Sequence, residues 1–301
     1  MVSTAMTRTE EQVRADIVEI GRRLWVRGYV AANDGNISVR IGERRMITTP
    51  KNVSKGFMTP DMMVVTDLDG KKLAGERDPS SEIKMHLQVY RDRPDACAVV
   101  HAHPPTATGF AVAGIPLDRA VLAEVVTTLG SIPIAEYATP STDELPAACS
   151  KYLKAHDGLL LANHGALAIG PDLSIAYQRM ETIEHFAKIS LVTRLLGREH
   201  LLSREEVQRL QGLRGMYGIA SPAPVCADDE VVTGPGGQVE CQVVQAPDAP
   251  GGARLVADTH DRPSRLLSGL SGVAQVGGDR EIRLTYRELT ALIEDALRQL
   301  Q

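Results

Sequence analysis

Two apolar segments of this chain each lead into histidine residues, and this arrangement limits the possible folds more than any other feature. The segment that begins at residue 97 ends with His101 and His103, and residues 158–162 are followed by His164. Because side chains alternate along a strand, His101 and His103 share one side of an extended backbone. Three histidine nitrogens that leave a fourth position open are typical of catalytic zinc sites. The alternative is a pair on an exposed strand edge and a third histidine in an ordinary turn.

The overall composition indicates a globular protein whose core is built from aliphatic residues. The 301 residues suffice for one large domain with an appendage or for two domains. A net charge of −5 gives no indication of nucleic-acid binding, and no apolar run approaches the length of a membrane span. The four cysteines form no C-x-x-C motif, which indicates reduced thiols. Together with a polar N-terminal segment that lacks the apolar part of a signal peptide, these features predict a cytoplasmic protein.

Hydrophobic periodicity predicts alternating helices and strands over residues 9–214. Thr9 and Ser203 each begin a capping pattern in front of a helix. The predicted strands lie at residues 37–40, 45–49, 62–65, 97–101, 132–137, 158–162 and 166–169. The predicted helices lie at residues 9–28, 80–91, a segment ending at 113, 120–129, 142–154, 172–196 and 203–214. This mixture predicts an α/β fold for residues 1–219.

The composition changes at about residue 220. Residues 220–280 are rich in Gly and Pro, which predicts a linker or a small β-rich segment. Residues 281–301 are predicted to form a terminal amphipathic helix, because Thr285 and Glu288 form a capping box and an apolar stripe follows at helical spacing. Such a stripe needs an apolar surface to cover, either on the protein itself or on a partner.

Glu82 is a candidate general base. It lies at the predicted start of a helix, behind Ser80 and Ser81. A carboxylate in a first helical turn usually complements the helix dipole, and this is the simpler interpretation. Beside a metal ion, the same group can exchange protons with a substrate. His86, four residues on, shares a helix face with Glu82 and is either its partner or a packed histidine.

Three short polar segments have the character of an anion-binding cradle. Each offers backbone N–H groups, small polar side chains or a helix N-terminus, and their candidate contacts are Asn36, Lys51, Asn52, Ser80 and Ser81. Taken singly, each segment is an ordinary turn or cap. Two tyrosines, Tyr137 and Tyr217, are candidate proton donors, although an isolated tyrosine usually serves packing.

Five motifs in this order resemble the class II sugar-phosphate aldolase and adducin-head family. They are Gly-Asn-Ile-Ser at 35–38, Thr-Pro at 49–50, Pro-Ser-Ser-Glu at 79–82, Arg-Pro-Asp-Ala at 93–96 before the histidine pair, and Leu-Ala-Asn-His-Gly at 161–165. The resemblance covers roughly residues 10–219 and is strongest to the fuculose-phosphate enzymes of that family. It implies a three-layer α/β/α sandwich around a largely antiparallel sheet, assembled as a four-fold homotetramer.

The resemblance also implies a role for each matching residue. It implies that His101, His103 and His164 bind one zinc ion (Zn2+) per subunit and that Glu82 is the catalytic acid and base. A sugar phosphate is the implied substrate, with its phosphate held by residues that match Asn36, Ser80 and Ser81. Tyr137 resembles a tyrosine offered across a subunit interface, and Tyr217 one in a mobile C-terminal segment.

The reaction implied by the resemblance is cleavage of a ketose 1-phosphate of the fuculose or rhamnulose type to dihydroxyacetone phosphate and lactaldehyde. Related activities in the family are pentulose-5-phosphate 4-epimerisation and methylthioribulose-phosphate dehydration, and adducin heads are binding modules without enzyme activity. The segment after Thr49-Pro50 departs from the fuculose-phosphate enzymes, because Lys51, Asn52 and a longer stretch at 53–56 replace a short Thr-Gly. A difference in substrate is therefore expected to arise from this phosphate loop.

The C-terminal segment has its own resemblance. A Gly/Pro-rich linker followed by a short amphipathic helix is similar to the peptides that dock enzymes into the shells of bacterial microcompartments. Residues 281–301 are therefore predicted to bind a shell protein, which would place the enzyme in the lumen of such a compartment. The alternative is that the helix packs on the enzyme itself.

Overall fold

An eight-stranded sheet forms the centre of the protein, seen in a computed structural model that describes residues 8–219, Ser221 and residues 232–233 and 239–240. The strand order is β4-β3-β2-β1-β5-β8-β7-β6, and every neighbouring pair is antiparallel except β6 and β7. The strands are β1 (Asn36–Ile41), β2 (Arg45–Thr48), β3 (Val64–Asp67), β4 (Lys72–Ala74), β5 (Ala98–Ala102), β6 (Ile134–Ala135), β7 (Gly158–Leu161) and β8 (Gly165–Gly170).

Seven helices flank this sheet within the described residues. They are α1 (Glu10–Val26), α2 (Ile83–Asp92), α3 (Pro105–Ala113), α4 (Ala123–Thr128), α5 (Glu144–Leu153), α6 (Leu173–Leu195) and α7 (Arg204–Leu213). Residues of α1, α3, α4 and α6 pack in a core on one face of the sheet, and residues of α2 and α5 pack in a second core on the other face. The three-layer α/β/α architecture on a largely antiparallel sheet is thus confirmed.

The helix starts follow the capping patterns of the sequence. The side chain of Thr9 accepts the backbone N–H of Gln12, whose own side chain accepts the N–H of Thr9. Ser203 and Glu206 form the same reciprocal pair at the start of α7. Each pair satisfies two N–H groups that a helix leaves without an internal partner.

Two of the boundaries that differ from the sequence prediction have a direct local reason. The strand predicted at 62–65 begins later, because Pro60–Met62 forms a short 3-10 turn and β3 starts at Val64. Proline favours the start of such a turn and withholds the N–H that a strand would need. The helix predicted from Ser80 begins at Ile83, with Glu82 at the N-cap position. The side chain of Glu82 makes no capping bond, so it remains free for other contacts.

The alternation along the central strands decides which side of the sheet carries the histidines. On β5, Val100 and Ala102 belong to the core under α1 and α6, whereas Val99 belongs to the core under α2. His101 follows Val99 by two residues and therefore faces the α2 side. In register, His101 lies opposite Asn36 of β1 and Leu167 of β8.

Several predictions concern residues outside this description. The helix predicted at 281–301 lies outside the described residues, as does most of the segment 220–280. Within that segment the structure describes one antiparallel pair, β9 (Val232–Thr233) with β10 (Val239–Glu240). Among the described residues, no helix combines the length and the apolar character needed to cross a membrane.

Candidate metal centre

The three predicted histidines converge on one point. His101 lies on β5 and is fully buried, His103 follows the end of that strand, and His164 lies in the turn between β7 and β8. Candidate ligand atoms of the three side chains all lie within 4.8 Å of one another. The antiparallel pairing of β5 with β8 produces this convergence, because Ala102 at the end of β5 lies opposite Ala166 at the start of β8.

Hydrogen bonds at Nδ1 fix the orientation of the His101 and His103 rings. Nδ1 of His101 lies 2.9 Å from the carbonyl of Ala166, and Nδ1 of His103 lies 3.0 Å from Oδ2 of Asp34. A carbonyl or a carboxylate accepts, so each Nδ1 carries the proton and each Nε2 presents a lone pair. Burial, together with His101 and His164, lowers the pKa of His103 to about 3, which keeps its ring neutral.

The spacing of the Nε2 atoms of His101 and His103 suits a divalent cation. Nε2 of His103 lies 3.1 Å from Nε2 of His101, so two lone pairs face each other at short range. Tetrahedral zinc with bonds of about 2.0–2.1 Å places two nitrogen ligands about 3.3 Å apart. A cation between the two lone pairs would turn a repulsion into two bonds, and the donor set suits zinc.

His164 completes the set with one nitrogen and leaves the other without a partner. Its Nε2 lies 3.1 Å from Oε1 of Glu82. Its Nδ1 is buried and has no hydrogen-bond partner in the described part of the chain. The ring therefore has its inner nitrogen directed toward the carboxylate and the other two histidines.

Glu82 is held at the edge of the histidine cluster. Its Oε2 lies 3.3 Å from Nε2 of His101 and accepts the side-chain N–H of Asn36 at 2.8 Å. This carboxylate lies against two candidate metal-binding nitrogens and an amide, a position that suits proton exchange at the same point.

Asp34 is a site residue that the sequence analysis missed. Its Oδ1 accepts the backbone N–H of Ala31 at 2.6 Å, which closes the turn before β1, while its Oδ2 contacts His103. The next residue, Gly35, has φ +71 and lies so close to β5 that an added Cβ would stand 2.9 Å from the carbonyl of His101. The sequence shows only a turn here, and the contact follows from the pairing of β1 with β5.

The three segments predicted to form an anion cradle lie side by side. The backbone N–H of Ser80 donates to the carbonyl of Thr49 at 3.1 Å, and the N–H of Ile37 donates to the side chain of Thr49. Asn36 uses its amide N–H on Glu82, and its amide oxygen is buried without a partner among the described residues. Ser80 accepts the N–H of Glu82 through its hydroxyl.

The remaining candidates for phosphate contact differ in how they are placed. Lys51 is half exposed and forms an ion pair with Asp78 at 2.9 Å. Asn52 has a positive φ of 58 and accepts a 3.5 Å bond from the side chain of Asn33. Ser81 is exposed at the entrance to α2. The structure thus places the backbone of these segments together, with Lys51 turned toward Asp78.

The two candidate tyrosines lie on the surface of the chain. Tyr137 is 65% exposed and Tyr217 is 67% exposed. The described contacts include no hydrogen bond from either side chain to Glu82 or to the histidines. Within a single chain, neither tyrosine is part of the cluster.

His86 lies behind the site and is not bonded to Glu82. Its Nδ1 lies 2.7 Å from the hydroxyl of Ser38, which in turn lies 2.8 Å from the hydroxyl of Tyr90. Burial lowers the pKa of His86 to about 3. The ring is therefore a neutral, packed histidine beneath the sheet face that carries His101.

The fold agrees with comparisons to known proteins. The family model of the class II aldolase and adducin N-terminal domain matches residues 15–191. A 5-deoxy-D-ribulose 1-phosphate aldolase from Bacillus thuringiensis serovar kurstaki is 33% identical over 69% of this chain and 98% of its own. A 3-oxo-tetronate 4-phosphate decarboxylase from Pectobacterium atrosepticum is 29% identical over 62% of this chain and 88% of its own.

A solved structure shows the same similarity in three dimensions. An L-fuculose 1-phosphate aldolase superposes with a TM-score of 0.64 and 31% identity, over 69% of this chain and 96% of that one. The family match, the shared sheet and the enzyme activities for which these relatives are named lead to one conclusion. The chain belongs to the class II aldolase and adducin N-terminal domain family and is an enzyme of that family.

Proposed function

We propose that this protein catalyses the zinc-dependent retro-aldol cleavage of a ketose 1-phosphate, of the fuculose or rhamnulose type, to dihydroxyacetone phosphate and lactaldehyde. The observation that carries the proposal is the position of Glu82, whose two oxygens lie 3.3 and 3.1 Å from Nε2 of His101 and of His164. An acid–base group is thereby fixed beside a three-nitrogen cation site.

The protein side of this chemistry can be assigned to named residues. His101, His103 and His164 would hold the zinc ion, which when bound supplies a Lewis acid for the negative charge that develops on the substrate. Cleavage removes a proton from the C4 hydroxyl, breaks the C3–C4 bond and adds a proton at C3. Glu82 is assigned the proton at C3, and Tyr137 of a neighbouring subunit is assigned the proton of the C4 hydroxyl.

Asn36 keeps the general base in position. Its amide N–H donates to Oε2 of Glu82 at 2.8 Å, which leaves Oε1 directed toward His164. A fixed carboxylate exchanges its proton at one substrate atom, and such positioning is a large part of catalysis. Asn36 therefore acts on the substrate through Glu82, and the second N–H of its amide group remains to donate to the phosphate.

The phosphate end of the substrate is assigned to the cradle. The segments at 36–38, 49–52 and 79–82 are joined by backbone hydrogen bonds, among them the bond from Ser80 to Thr49. Hydroxyl groups, and backbone N–H groups that the joined segments do not use on each other, suit a phosphate. Phosphate contacts orient the sugar without touching the bond that breaks, which lowers the entropic part of the barrier.

The test is an aldolase assay on the purified protein, with a panel of fuculose, rhamnulose and ribulose phosphates and 3-oxo-tetronate 4-phosphate. We expect cleavage of a ketose 1-phosphate, loss of that activity with a chelator and recovery with zinc. Glu82→Gln should lower kcat by about 100-fold or more, while the exposed Glu43→Gln should leave it unchanged. Full activity after verified metal removal would contradict the mechanism.

The same panel separates the alternatives. A pentulose-5-phosphate 4-epimerase would convert ribulose 5-phosphate without releasing an aldehyde, and a decarboxylase would release carbon dioxide from 3-oxo-tetronate 4-phosphate. A methylthioribulose-phosphate dehydratase would act on none of these sugars. An adducin-like binding module would need neither Glu82 nor a cation, and the contact of Glu82 with two histidines favours an enzyme.

Two further proposals concern assembly. A homotetramer would bring Tyr137, which is exposed in the single chain, into the site of a neighbouring subunit. Residues 281–301 are proposed to dock on a microcompartment shell, and this proposal rests on the sequence alone. Deletion of residues 281–301 should abolish co-purification with shells and leave tetramer mass and kcat unchanged.

A further inference from the structure

Lys55 is a buried lysine close to the histidine cluster. It begins the short 3-10 turn Lys55–Phe57, lies within the segment 51–56 that departs from the fuculose-phosphate enzymes, and is only 2% exposed. Lysine is almost never fully buried unless its charge is paired. Among the described residues, Lys55 forms no ion pair. Its burial therefore costs free energy, and a functional role would explain that cost.

The ammonium group of Lys55 joins two segments of backbone. Nζ donates to the carbonyl of Asn33 at 3.0 Å and to the carbonyl of Val53 at 2.8 Å. The first carbonyl belongs to the turn before β1, and the second belongs to the loop that follows Thr49-Pro50. Because both acceptors are uncharged, the two bonds fix the geometry of both segments without neutralising the lysine.

The carbonyl of Asn33 belongs to the peptide unit that leads directly into Asp34. That peptide sets the direction of the Asp34 carboxylate, whose Oδ2 lies 3.0 Å from Nδ1 of His103. Two contacts, joined by the peptide bond between Asn33 and Asp34, therefore connect Lys55 to a histidine of the cation site. Groups that orient a metal-binding histidine typically change metal affinity by about 10- to 100-fold.

The backbone of Lys55 is held firmly from the other side. A Cβ added to Gly21 of α1 would stand 2.8 Å from the carbonyl of Lys55 and 2.3 Å from Cε of Met58. The turn thus packs directly on the helix, and the backbone of Lys55 is fixed in position.

The charge of Lys55 is affected by two carboxylates. Burial lowers the pKa of Lys55 to about 8, against the opposing effect of Asp34 and Glu82.

We infer that Lys55 is a positioning residue that fixes the turn presenting Asp34 to His103 and thereby sets the affinity of the three-histidine site for a divalent cation. This inference rests on the proposed function, because it assumes that the site binds a metal. It adds to that function a residue from the loop that distinguishes this chain, and it couples the phosphate loop to the metal centre.

The experiment measures zinc affinity by competition with a chromophoric chelator, using the full chain. Lys55→Met keeps the length and burial of the side chain but removes both donors, and we expect the zinc dissociation constant to rise about 10- to 100-fold. Lys72→Met is the matched control, because Lys72 lies on β4 and pairs with Asp78. That control should bind zinc like the wild type.

A double-mutant cycle distinguishes positioning from a general loss of stability. If Lys55 acts through Asp34, the Asp34→Asn/Lys55→Met protein should bind zinc no more weakly than the weaker single variant. The cobalt-substituted Lys55→Met protein should also show an altered visible spectrum, which reports the coordination geometry. Fully additive losses would overturn the inference.

A second variant covers the case in which Lys55→Met does not fold. Lys55→Gln retains N–H donors for the two carbonyls without the charge, and it should recover part of the zinc affinity. Zinc binding by Lys55→Met equal to that of the wild type, or zinc binding by Lys55→Gln as weak as that of Asp34→Asn, would contradict the inference while leaving the proposed function intact. Absence of zinc binding by the wild type would instead contradict the proposed function.

Discussion

Oδ2 of Asp34 lies 3.0 Å from Nδ1 of His103, while Oδ1 of the same carboxylate closes the turn before β1 by accepting the N–H of Ala31. One side chain therefore stabilises a turn and fixes the tautomer of a candidate metal ligand. The two tasks use different oxygens, so substitutions can separate them.

Asp34→Asn retains an amide oxygen for the turn but removes the charge that supports His103. We expect zinc affinity to fall by about 10- to 100-fold, with a change in unfolding free energy below about 1 kcal/mol. Chelator competition and urea denaturation measure the two quantities. Asp69→Asn, an exposed turn residue, is the control and should change neither. Equal zinc affinity in Asp34→Asn and the wild type would show that Asp34 only stabilises the turn.

Much of the fold follows from local patterns in the sequence. The capping pairs at Thr9 and Ser203 and the apolar runs that become β5 and β7 are local signals, and each appears where the pattern predicts it. The shared side of His101 and His103 also follows, because side chains alternate along an extended backbone. His164 joins them only through the pairing of β5 with β8.

The contacts between residues of different strands could not be predicted from the sequence. Asp34 meets His103 only because β1 pairs with β5, and nothing in a turn sequence specifies its neighbouring strand. The burial of Lys55 has no local signal, because burying an unpaired lysine costs free energy that only tertiary contacts can offset. Glu82 was placed inside a helical turn, and its N-cap position appears only once the start of α2 is known.

A substitution at Gly165 tests whether the cation site requires the close packing of β8 against His103 and Ala102. A Cβ at this position would stand 2.5 Å from Cδ2 of His103 and 2.6 Å from the carbonyl of Ala102. Gly165→Ala should therefore displace the His103 ring, lower zinc affinity at least 10-fold and cost about 1–3 kcal/mol of stability. Gly212→Ala in α7 meets no atom within 4 Å and should be neutral or slightly stabilising. Unchanged zinc binding in Gly165→Ala would show that the ring has room to move.

The buried Lys55 predicts a pH dependence of stability. Its pKa is about 8 in the folded protein and about 10.5 when unfolded, so between these values the unfolded chain binds a proton that the folded chain does not. Raising the pH through this window favours the folded state, and the burial cost is fully present below pH 8. The unfolding free energy of the wild type should rise relative to Lys55→Met by up to about 1.4 kcal/mol per pH unit. Urea denaturation from pH 7 to 10.5 measures the difference, and parallel curves for the two proteins would contradict the buried charge.

Arg93 offers a matched comparison of a buried and an exposed ion pair. Its guanidinium contacts Asp157 at 2.8 Å, where the carboxylate side chain is 2% exposed, and Asp95 at 2.7 Å, where the side chain is 57% exposed. Asp157 also pairs with Arg179 at 2.8 Å and accepts the hydroxyl of Ser221 at 2.6 Å.

Asp157→Asn leaves two largely buried guanidinium groups beside a neutral amide. Removal of one partner from a buried ion pair typically costs about 3–5 kcal/mol, because the remaining charge has lost its compensation. Asp95→Asn removes a pair that water screens and should cost about 0–1 kcal/mol. The two variants share Arg93, so the difference between their urea midpoints isolates the effect of burial. Equal destabilisation by both substitutions would mean that water reaches Asp157 in solution.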